Sequence, residues 1–543
     1  MSLQLGLYTP TDRSTWAQDA VSVLSDAGYQ SSRRAQSRIN AWQPDSARRF
    51  GSEIAYVDGY TLDPCWVYPN SLTIRTHPKR FYFESSSLDR AIRRPEHQIL
   101  NGQKRPETPA SLLIGGAVDT GELLTSAGVV KQVAVDQDLI ATGLISATKG
   151  QGRHGRAFAL DHDLWRNLSQ AKAFSIPPHL KVMLIHDTNA SREKIAMYTE
   201  MLEREWLPAL GADKRAGTVR VAALPTVLPA IKDIQAGLRK GEFEDAVFLV
   251  AIDGRPGERL PADQEIFLKI LDELGLPYRC FSTENPQPKW SARAQVVSIL
   301  EGAGGIPYRL SLPHSNQLDG ALIIGVDIGH DSKRRRISHI VVSVLDQFGK
   351  HIVSCRKVEA LNEAIAATVL RKLLVTARNA ASARLGYKIK SALVFRDGLI
   401  PAQAQAPGRL AESVQTYRDA LKLPLTIIEL RKRGNPLLYR RSGAGYSAVE
   451  PGTACAPNGS EIRFATAYRA LAGLPRVFKT RIPEGLDELG IGVDAATAIA
   501  VGLCYSPSLG LRAHLPGPIY WADGLASTQA YSYKFAGQPV IDL

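Results

Sequence analysis

The sequence of 543 residues lacks paired cysteines and long apolar runs, and each absence argues against a class of protein. No stretch approaches the roughly 20 apolar residues that a membrane span needs, and residues 1–30 are mixed and polar, unlike a secretion leader. The sequence therefore predicts a cytoplasmic protein that contacts no membrane. The cysteines stand far apart without a C-x-x-C pair, which argues against a disulfide framework and a cysteine-based zinc site; they are Cys65, Cys280, Cys355, Cys455 and Cys504.

Acidic residues are too few to balance the basic ones. Lysine and arginine number 66 and aspartate and glutamate number 53, so the formal net charge is +13. Hydrophobic residues make up 44% of the chain, which is enough to build cores, and the length allows about three to five domains. A folded protein this basic suits a polyanionic partner.

The first 175 residues or so show little periodicity. Short strand-like pieces at 71–75 and 80–83 stand between stretches rich in proline, glycine and arginine. We expect an irregular α+β region here.

Apolar runs alternate with helical stretches between residues 176 and 306. Such alternation predicts parallel α/β layering, a Rossmann-like arrangement. Because no G-x-G-x-x-G follows the first strand, a dinucleotide cofactor is not expected. The predicted strands are 182–185, 218–223, 246–253 and 278–281, and the predicted helices are 192–207, 227–238 and 263–274.

The third region, from about residue 307, has strands before its first long helix. Ala321–Gly329 predicts a buried strand, Ile337–Leu345 its antiparallel neighbour and His351–Arg356 a third strand. A helix is predicted over Glu363–Ala380 and a fourth strand over Ser391–Phe395. This order of elements is that of an RNase H-like sheet.

Aspartates fall where predicted strands end. Asp327 comes near the end of one strand and Asp397 just after the next hydrophobic one. Carboxyl ends of adjacent strands converge in one crevice, so the two aspartates can share divalent metal ions. Each alone can also be a cap or turn residue. A third, Asp523, lies beside a helix expected from about Ala522 and can be a plain N-cap.

Three segments taken together resemble the sequence signatures of the Argonaute PIWI domain. They are Ile323–His330, Phe395–Gly398 and Ile519–Asp523, in this order. The chain looks like a prokaryotic Argonaute in which the PAZ domain is absent or reduced. On this resemblance, residues 1–105 form an N-like region, 106–175 a linker region, 176–306 a MID-like domain and 307–543 the PIWI domain.

The resemblance implies a four-carboxylate catalytic site. Asp327, Asp397 and Asp523 match three of its members and would bind Mg²⁺ or Mn²⁺. The fourth member is a glutamate before the helix that precedes the R-D-G strand, which places it at Glu363, with Glu359 as the alternative. The implied activity is that of an endonuclease that cuts a DNA or RNA target strand paired to a short guide nucleic acid.

The resemblance also implies a site for the guide's 5′ end, where this sequence departs from the family pattern. Gly302, just before Gly304–Pro307, and Ser282 stand where the family has lysines. We therefore expect a reduced preference for a 5′-phosphate. Tyr278 can stack on the first base or be a core tyrosine. The other candidates are Arg279, Lys289, Arg293 and Gln295, which can contact a phosphate or hydroxyl, and Leu543, whose carboxylate can hold a metal.

Two other functions are compatible with parts of the sequence. Ile324–Gly329 also resembles the first phosphate motif of actin-like sugar kinases and ATPases, but these enzymes place it near the N-terminus and continue it differently from His330–Arg336. The other alternative keeps the Argonaute fold without cleavage. Such a protein would load a guide and act through a partner effector protein.

Overall fold

The computed structural model describes most of the chain, in two compact units. The first contains Met1–Leu144 and Leu430–Arg481, and the second Ile145–Glu429 and Ile482–Leu543. The mixed α/β fold class is confirmed, whereas the predicted domain boundaries stay predictions. The described residues are 2–34, 38–50, 54–67, 71–84, 108–134, 140–161, 163–178, 180–187, 192–212, 219–224, 236–237, 239–240, 246–252, 262–282, 288–330, 337–360, 365–400, 405–406, 409–410, 413–432, 435–443, 445–456, 461–468, 474–527, 537 and 539–543.

A seven-stranded antiparallel sheet organises the first unit. Its central strands are β1 (Arg38–Trp42), β2 (Ile54–Val67) and β3 (Ser71–Glu84). Helix Trp16–Asp26 and helix α1 (Ala110–Ser126) bury apolar side chains against one face of this sheet. The remaining strands of the sheet are Leu7–Pro10, Gln30–Arg34, Arg48–Phe50 and Val130–Gln132.

This sheet is more regular than the sequence suggested. The two short pieces predicted at 71–75 and 80–83 belong to one 14-residue strand, β3, which pairs with β2 along its whole length. Pro64 lies opposite Ile74 and Pro78 opposite Tyr60 in that ladder. Because proline has no N–H to donate, prolines within a run argue against a strand, and they hid this hairpin from sequence reasoning.

The inserted segment 430–481 adds strands to the first unit. Ser2–Leu5 pairs antiparallel with Leu438–Ser442, which pairs with Gly445–Ala448. A further antiparallel group consists of Ile140–Ala141, Ala454–Cys455, Ile462–Tyr468 and Pro475–Arg481. A short 3-10 helix, Pro44–Ser46, follows β1.

The second unit contains a four-stranded parallel sheet, and β4 (Tyr278–Ser282) is one of its edge strands. The predicted parallel layering is thus present, although most of the predicted helix 227–238 lies outside the described residues. In order, the other strands are Val219–Leu224, Lys181–Asp187 and Ala246–Ile252. The helices are Arg192–Met201, continued by a π turn at Leu202–Trp206 and by Leu207–Ala209, then Ala262–Glu273 and α2 (Pro288–Gly302).

Strands at the other end of the second unit have the directions of an RNase H-like sheet. Strand β5 (Ala321–His330) is antiparallel to β6 (Ile337–Leu345), which is antiparallel to β7 (His351–Ala360). On its other side, β5 is parallel to β8 (Ser391–Asp397). Strand Leu425–Arg431 follows β8, and β9 (Val540–Asp542) runs parallel to β7 at the edge.

Helices cover both faces of this sheet. Helix Ala367–Leu385 and helix Val414–Leu421 pack on the face that carries Ile324 and Val326. Helix α3 (Gly517–Ser527) lies on the opposite face. The remaining elements of the unit are helices Leu164–Ala171 and Gly492–Leu503, 3-10 helices Leu144–Ala147, Arg153–Gly155 and Pro507–Leu509, and strands Lys149–Gln151, Ala157–Ala159, Arg309–Ser311, Gln405–Ala406 and Arg409–Leu410.

Among the helices described in the two units, we find none with the length and apolar character needed to cross a membrane.

Candidate functional site

Two aspartates lie at matching positions on neighbouring parallel strands. Val326 of β5 is in register with Arg396 of β8, so the next residues, Asp327 and Asp397, stand side by side. Neighbouring strands lie about 4.8 Å apart, and residues in register project from the same face. Asp327 is 1% exposed and accepts a 2.7 Å hydrogen bond from the N–H of Ile328, while Asp397 is half-buried. Strand pairing therefore brings these two carboxylates together.

Two glycines on β5 allow helix α3 to approach the sheet closely. An added Cβ at Gly325 would overlap the carbonyl group of Pro518, and one at Gly329 would overlap that of Ala526. Eight helical residues advance about 12 Å and four strand residues about 13 Å, so the helix runs alongside the strand. Asp327 lies midway between the two glycines and on their face, so α3 covers its side of the sheet.

The rotation of α3 about its axis determines the position of Asp523. Trp521 is buried and stacks on His351 of β7, with ring centroids 4.6 Å apart and ring planes at 26°. Successive helix residues are about 100° apart, so Asp523 lies about 200° around the helix from Trp521. Because β7 and β8 lie on opposite sides of β5, Asp523 lies on the side of α3 away from β7, which is the side of β8, the strand of Asp397.

The expected start of this helix was wrong. Helix α3 begins at Gly517 instead of about Ala522, so Asp523 lies in its middle and is not an N-cap. Pro518 is the second residue of the helix, where a missing N–H costs nothing because the first turn has no acceptors for it.

The fourth carboxylate predicted by the resemblance cannot be placed with the others. Glu363 lies outside the described residues, and the helix predicted from it begins at Ala367. The alternative, Glu359, belongs to β7 and lies opposite Ser338, on the face of the sheet that carries Ile340. Since Asp327 projects from the other face, the strand register separates Glu359 from it.

The donor atoms decide whether these residues fit a divalent metal ion. Carboxylate oxygens are the hard ligands that Mg²⁺ and Mn²⁺ accept, and two of them in register suit one shared cation. Throughout the described parts of the chain, however, no three His, Cys, Asp or Glu side chains are grouped closely enough to hold a metal. The fit is therefore that of a pair, Asp327 and Asp397.

A cavity of about 260 Å³ forms a second candidate site in the same unit. Its walls come from five stretches of chain, represented by Arg279, Gly302, Lys350, Arg384 and Gly537. Three of these side chains are cationic, and Glu301 is the one carboxylate among the lining residues. Such an excess of positive charge suits an anionic group.

Arg279 is held in the wall of this cavity by main-chain acceptors. Its Nη1 donates to the carbonyl oxygens of Tyr278 and Gly537, both at 2.7 Å. Burial lowers the pKa of the Arg279 guanidinium, and the neighbouring Glu301 carboxylate opposes that shift. An added Cβ at Gly302 would lie 3.6 Å from Cζ of Arg279. The guanidinium thus stands beside Gly302, where the resemblance led us to expect a lysine.

Three other residues predicted for the guide's 5′ end, Tyr278, Gln295 and Arg293, pack against neighbouring residues of the fold. Tyr278 is fully buried in the apolar core of the four-stranded sheet, so its core alternative holds and its ring is not open to a base. Gln295 donates to the carbonyl oxygen of Cys280 at 2.8 Å, and the Arg293 guanidinium lies 5.8 Å from the centre of the Trp165 ring. Lys289 belongs to α2, and its side chain lies outside the described set.

Leu543 lies away from the cavity. Pro539 lines the cavity, and from there β9 runs along β7 until the N–H of Leu543 donates to the carbonyl oxygen of Arg356 at 2.9 Å. Four residues of strand span about 13 Å, so Leu543 lies further along β7 than Pro539, and the metal role of its carboxylate stays a prediction.

Sequence reasoning missed Lys350, His351 and Arg384 as cavity residues. Lys350 follows a turn and Arg384 lies in the last turn of helix Ala367–Leu385, where a cation is ordinary. Nothing in their local sequence distinguishes them. Only the packing of α2, β7 and the residues before β9 around one space identifies them.

Comparisons with known proteins identify the fold and nothing finer. No protein-family model and no curated protein sequence matches the chain. Among solved structures, it resembles Marinitoga piezophila Argonaute in complex with 5′ OH guide RNA and target DNA, with a TM-score of 0.61 and 11% identity over 97% of this chain and 87% of that one.

The chain also resembles two further solved structures. Clostridium butyricum Argonaute bound to a guide DNA and a 19-mer target DNA gives a TM-score of 0.63 at 12% identity, with 96% of this chain and 87% of that one covered. Drosophila Piwi gives a TM-score of 0.60 at 11% identity, with 94% and 82% covered. The chain therefore has the Argonaute fold, which confirms the fold expected from the three motifs and leaves the kinase alternative without support.

Proposed function

We propose that this protein binds a short guide nucleic acid and cuts a complementary DNA or RNA target strand. The observation that carries the proposal is the registered pair Asp327 and Asp397 beneath α3. The Argonaute fold supports guide binding, since the solved structures that it resembles contain guides and targets. The three sequence motifs that contain Asp327, Asp397 and Asp523 are those on which the Argonaute fold was expected.

Asp327 and Asp397 would hold Mg²⁺ or Mn²⁺, and two such ions would together activate a water and stabilise the leaving oxygen of the scissile phosphate, which is two-metal hydrolysis. The N–H of Ile328 donates to Asp327 and fixes the direction of its carboxylate before substrate arrives. Helix α3 covers this side of the sheet and carries Asp523 on the flank towards β8. We propose that Asp523 and Glu363 complete the site when guide and target are paired.

The cationic cavity is the proposed site for the guide's 5′ end. Arg279, Lys350 and Arg384 supply charges that can bind a terminal phosphate or the first phosphates of the strand. Such contacts give affinity without reading sequence, as expected when base pairing with the guide selects the target.

A second candidate function is guide-directed binding without cleavage, through a partner effector protein. One observation favours it: within the described ranges, the carboxylates form a pair and no group of three. The two functions differ in the chemistry at Asp327 and Asp397 and share the guide site.

Two measurements on the purified chain test the proposal. Copurifying nucleic acids are sequenced with their 5′-end chemistry, and the chain loaded with a defined guide is assayed on complementary and unrelated targets with Mg²⁺, Mn²⁺ or EDTA. We expect metal-dependent cutting of the complementary strand alone. Guide-dependent binding without cutting in either metal would establish the second candidate, and absence of guide-dependent binding would contradict both.

A further inference from the structure

The first unit contains a cavity that the proposed function does not use. It has a volume of about 160 Å³ and opens beside the first turn of α1. Its walls combine three tyrosine rings with hydrogen-bonding side chains. The rings are those of Tyr29, Tyr56 and Tyr60, and the polar groups include Gln43, Ser46 and Asp58.

Packing and ion pairing hold these walls in place. The Tyr60 hydroxyl packs against Gly116 of α1, where an added Cβ would overlap it. Arg80 donates to both oxygens of Asp58 at 2.7 and 2.9 Å, and its Cζ lies 4.4 Å from the centre of the Tyr56 ring. Thr108 accepts a 2.6 Å hydrogen bond from the same guanidinium. The cavity is therefore formed before any ligand enters, as small-molecule sites usually are.

The rim of the cavity has one apolar and one cationic feature. Leu112 is 62% exposed, the highest value among the large hydrophobic side chains in the described residues. Arg48 lines the cavity and is exposed. A ligand with a flat apolar body and an attached anion would cover Leu112 and contact Arg48.

We propose that this cavity captures one unpaired nucleobase of a strand bound to the protein. Unpaired bases are recognised by stacking on aromatic rings and by hydrogen bonds to their edges, and this cavity offers both. Its volume is below the roughly 300 Å³ of sites for drug-sized ligands, which suits a base whose sugar and phosphate stay outside near Arg48.

The polar walls favour a base over an apolar side chain of a partner protein. A tryptophan carries one hydrogen-bond donor and a phenylalanine none. Either would cover the Gln43 side-chain amide without matching its donors and acceptor, at a cost for a buried polar group. The heteroatoms along the edge of a nucleobase can satisfy this amide.

The inference rests on the proposed nucleic-acid binding and is tested on the full chain. The probes are short single-stranded oligonucleotides, each with one abasic site or one 5-iodouracil at a different position. The blocking variant is Ser46→Trp, because Ser46 is an exposed wall residue and an indole there would fill the space. Ser25→Trp, at an exposed helix position outside the cavity lining, is the matched control.

We expect one strand position at which an abasic site weakens binding about tenfold, the size of one lost base stack. The 5-iodouracil at that position should crosslink to Tyr29, Tyr56 or Tyr60. Ser46→Trp should remove both the penalty and the crosslink, and Ser25→Trp should keep both.

Normal binding of intact oligonucleotides without any such position, or an abasic penalty that is unchanged in Ser46→Trp, would overturn the inference and leave the proposed function standing. If the wild type binds no oligonucleotide, the proposed function fails first. Crosslinks to residues outside the cavity alone would also refute the assignment.

Discussion

Gly329 lies against the main chain of Ala526, so the strand that carries Asp327 and the helix that carries Asp523 meet without a side chain between them. A Cβ at this position would overlap the carbonyl group of Ala526, and main-chain atoms cannot move aside as a flexible side chain can. The spacing between the two aspartates therefore depends on a glycine that has no chemistry of its own.

Gly329→Ala should destabilise the protein and displace α3. Forcing an extra methyl into a packed interface costs about 1–3 kcal/mol. Gly115→Ala is the matched control, because Gly115 lies within α1 and its added Cβ would have an ordinary 3.5 Å contact with Tyr446. We expect the control to raise the free energy of unfolding by about 0.5–1 kcal/mol. Denaturant unfolding measures the change in the free energy of unfolding for both variants. Equal changes would contradict the close packing of α3 on Gly329.

Asp327→Ala or Asp397→Ala should lower target cutting by about a thousandfold or more and leave guide binding intact. Either change removes one of two carboxylates that would hold the metal. Asp419→Ala, which alters an exposed aspartate on helix Val414–Leu421, is the control and should cut normally. Cleavage and guide binding are assayed in Mg²⁺ and in Mn²⁺. Equal cutting by the wild type, Asp327→Ala and Asp397→Ala would contradict the assignment of these aspartates as catalytic residues.

Glu363→Gln should lose cutting nearly as fully as the aspartate variants, whereas Glu359→Gln should retain it. The reason is the strand register, which directs Glu359 to the face opposite Asp327. Single-turnover cleavage of a paired target measures both. Reversed phenotypes would show that β7 rearranges and that Glu359 is the catalytic residue.

Preference for a 5′-phosphate guide should depend on Lys350 and Arg384. A charge-assisted hydrogen bond contributes about 1.5–3 kcal/mol, so each alanine variant should weaken phosphorylated guides about tenfold or more and hydroxyl guides much less. Because Leu543 lies away from the cavity, EDTA should leave this preference unchanged.

The measurement is the binding affinity of two guides that differ only in a 5′-phosphate or 5′-hydroxyl, with and without EDTA, for the wild type and each alanine variant. The sequence, with Gly302 and Ser282 in place of lysines, predicts a reduced phosphate preference, so equal binding of the two guides would support that prediction and contradict phosphate binding by Lys350 and Arg384. A preference that disappears in EDTA, or that survives in both alanine variants, would show that neither Lys350 nor Arg384 binds the phosphate.

Local patterns predicted strands β5 to β8 well. Ile337–Leu345 was predicted with its observed bounds, since β-branched residues fill a run between turn signals. Asp397 proved to be the last residue of its strand instead of the residue after it. The hairpin of β2 and β3 was missed because Pro64 and Pro78 interrupt it, and tertiary pairing overrode that local signal.

The cationic cavity proposed for the guide end could not be predicted from the sequence for a physical reason. Its charges come from Arg279, Lys350 and Arg384, which are distant in sequence and have no shared spacing. Tyr278 was equally ambiguous, because an aromatic residue in a strand can face a core or a ligand with the same periodicity. Its complete burial in one core cluster with Phe248 and Leu271 shows that it faces the core.

The short strand β9 also protects a sheet edge. It pairs with Ser354–Arg356 of β7, and without it the N–H and C=O groups of that stretch would be open to pairing with another chain. The segment that leads into β9 carries Gly537, the acceptor for Arg279. A nick or deletion there should therefore open the cationic cavity and expose the edge of β7 at the same time. If the cavity binds the guide as proposed, loss of guide binding and aggregation should appear in the same preparations.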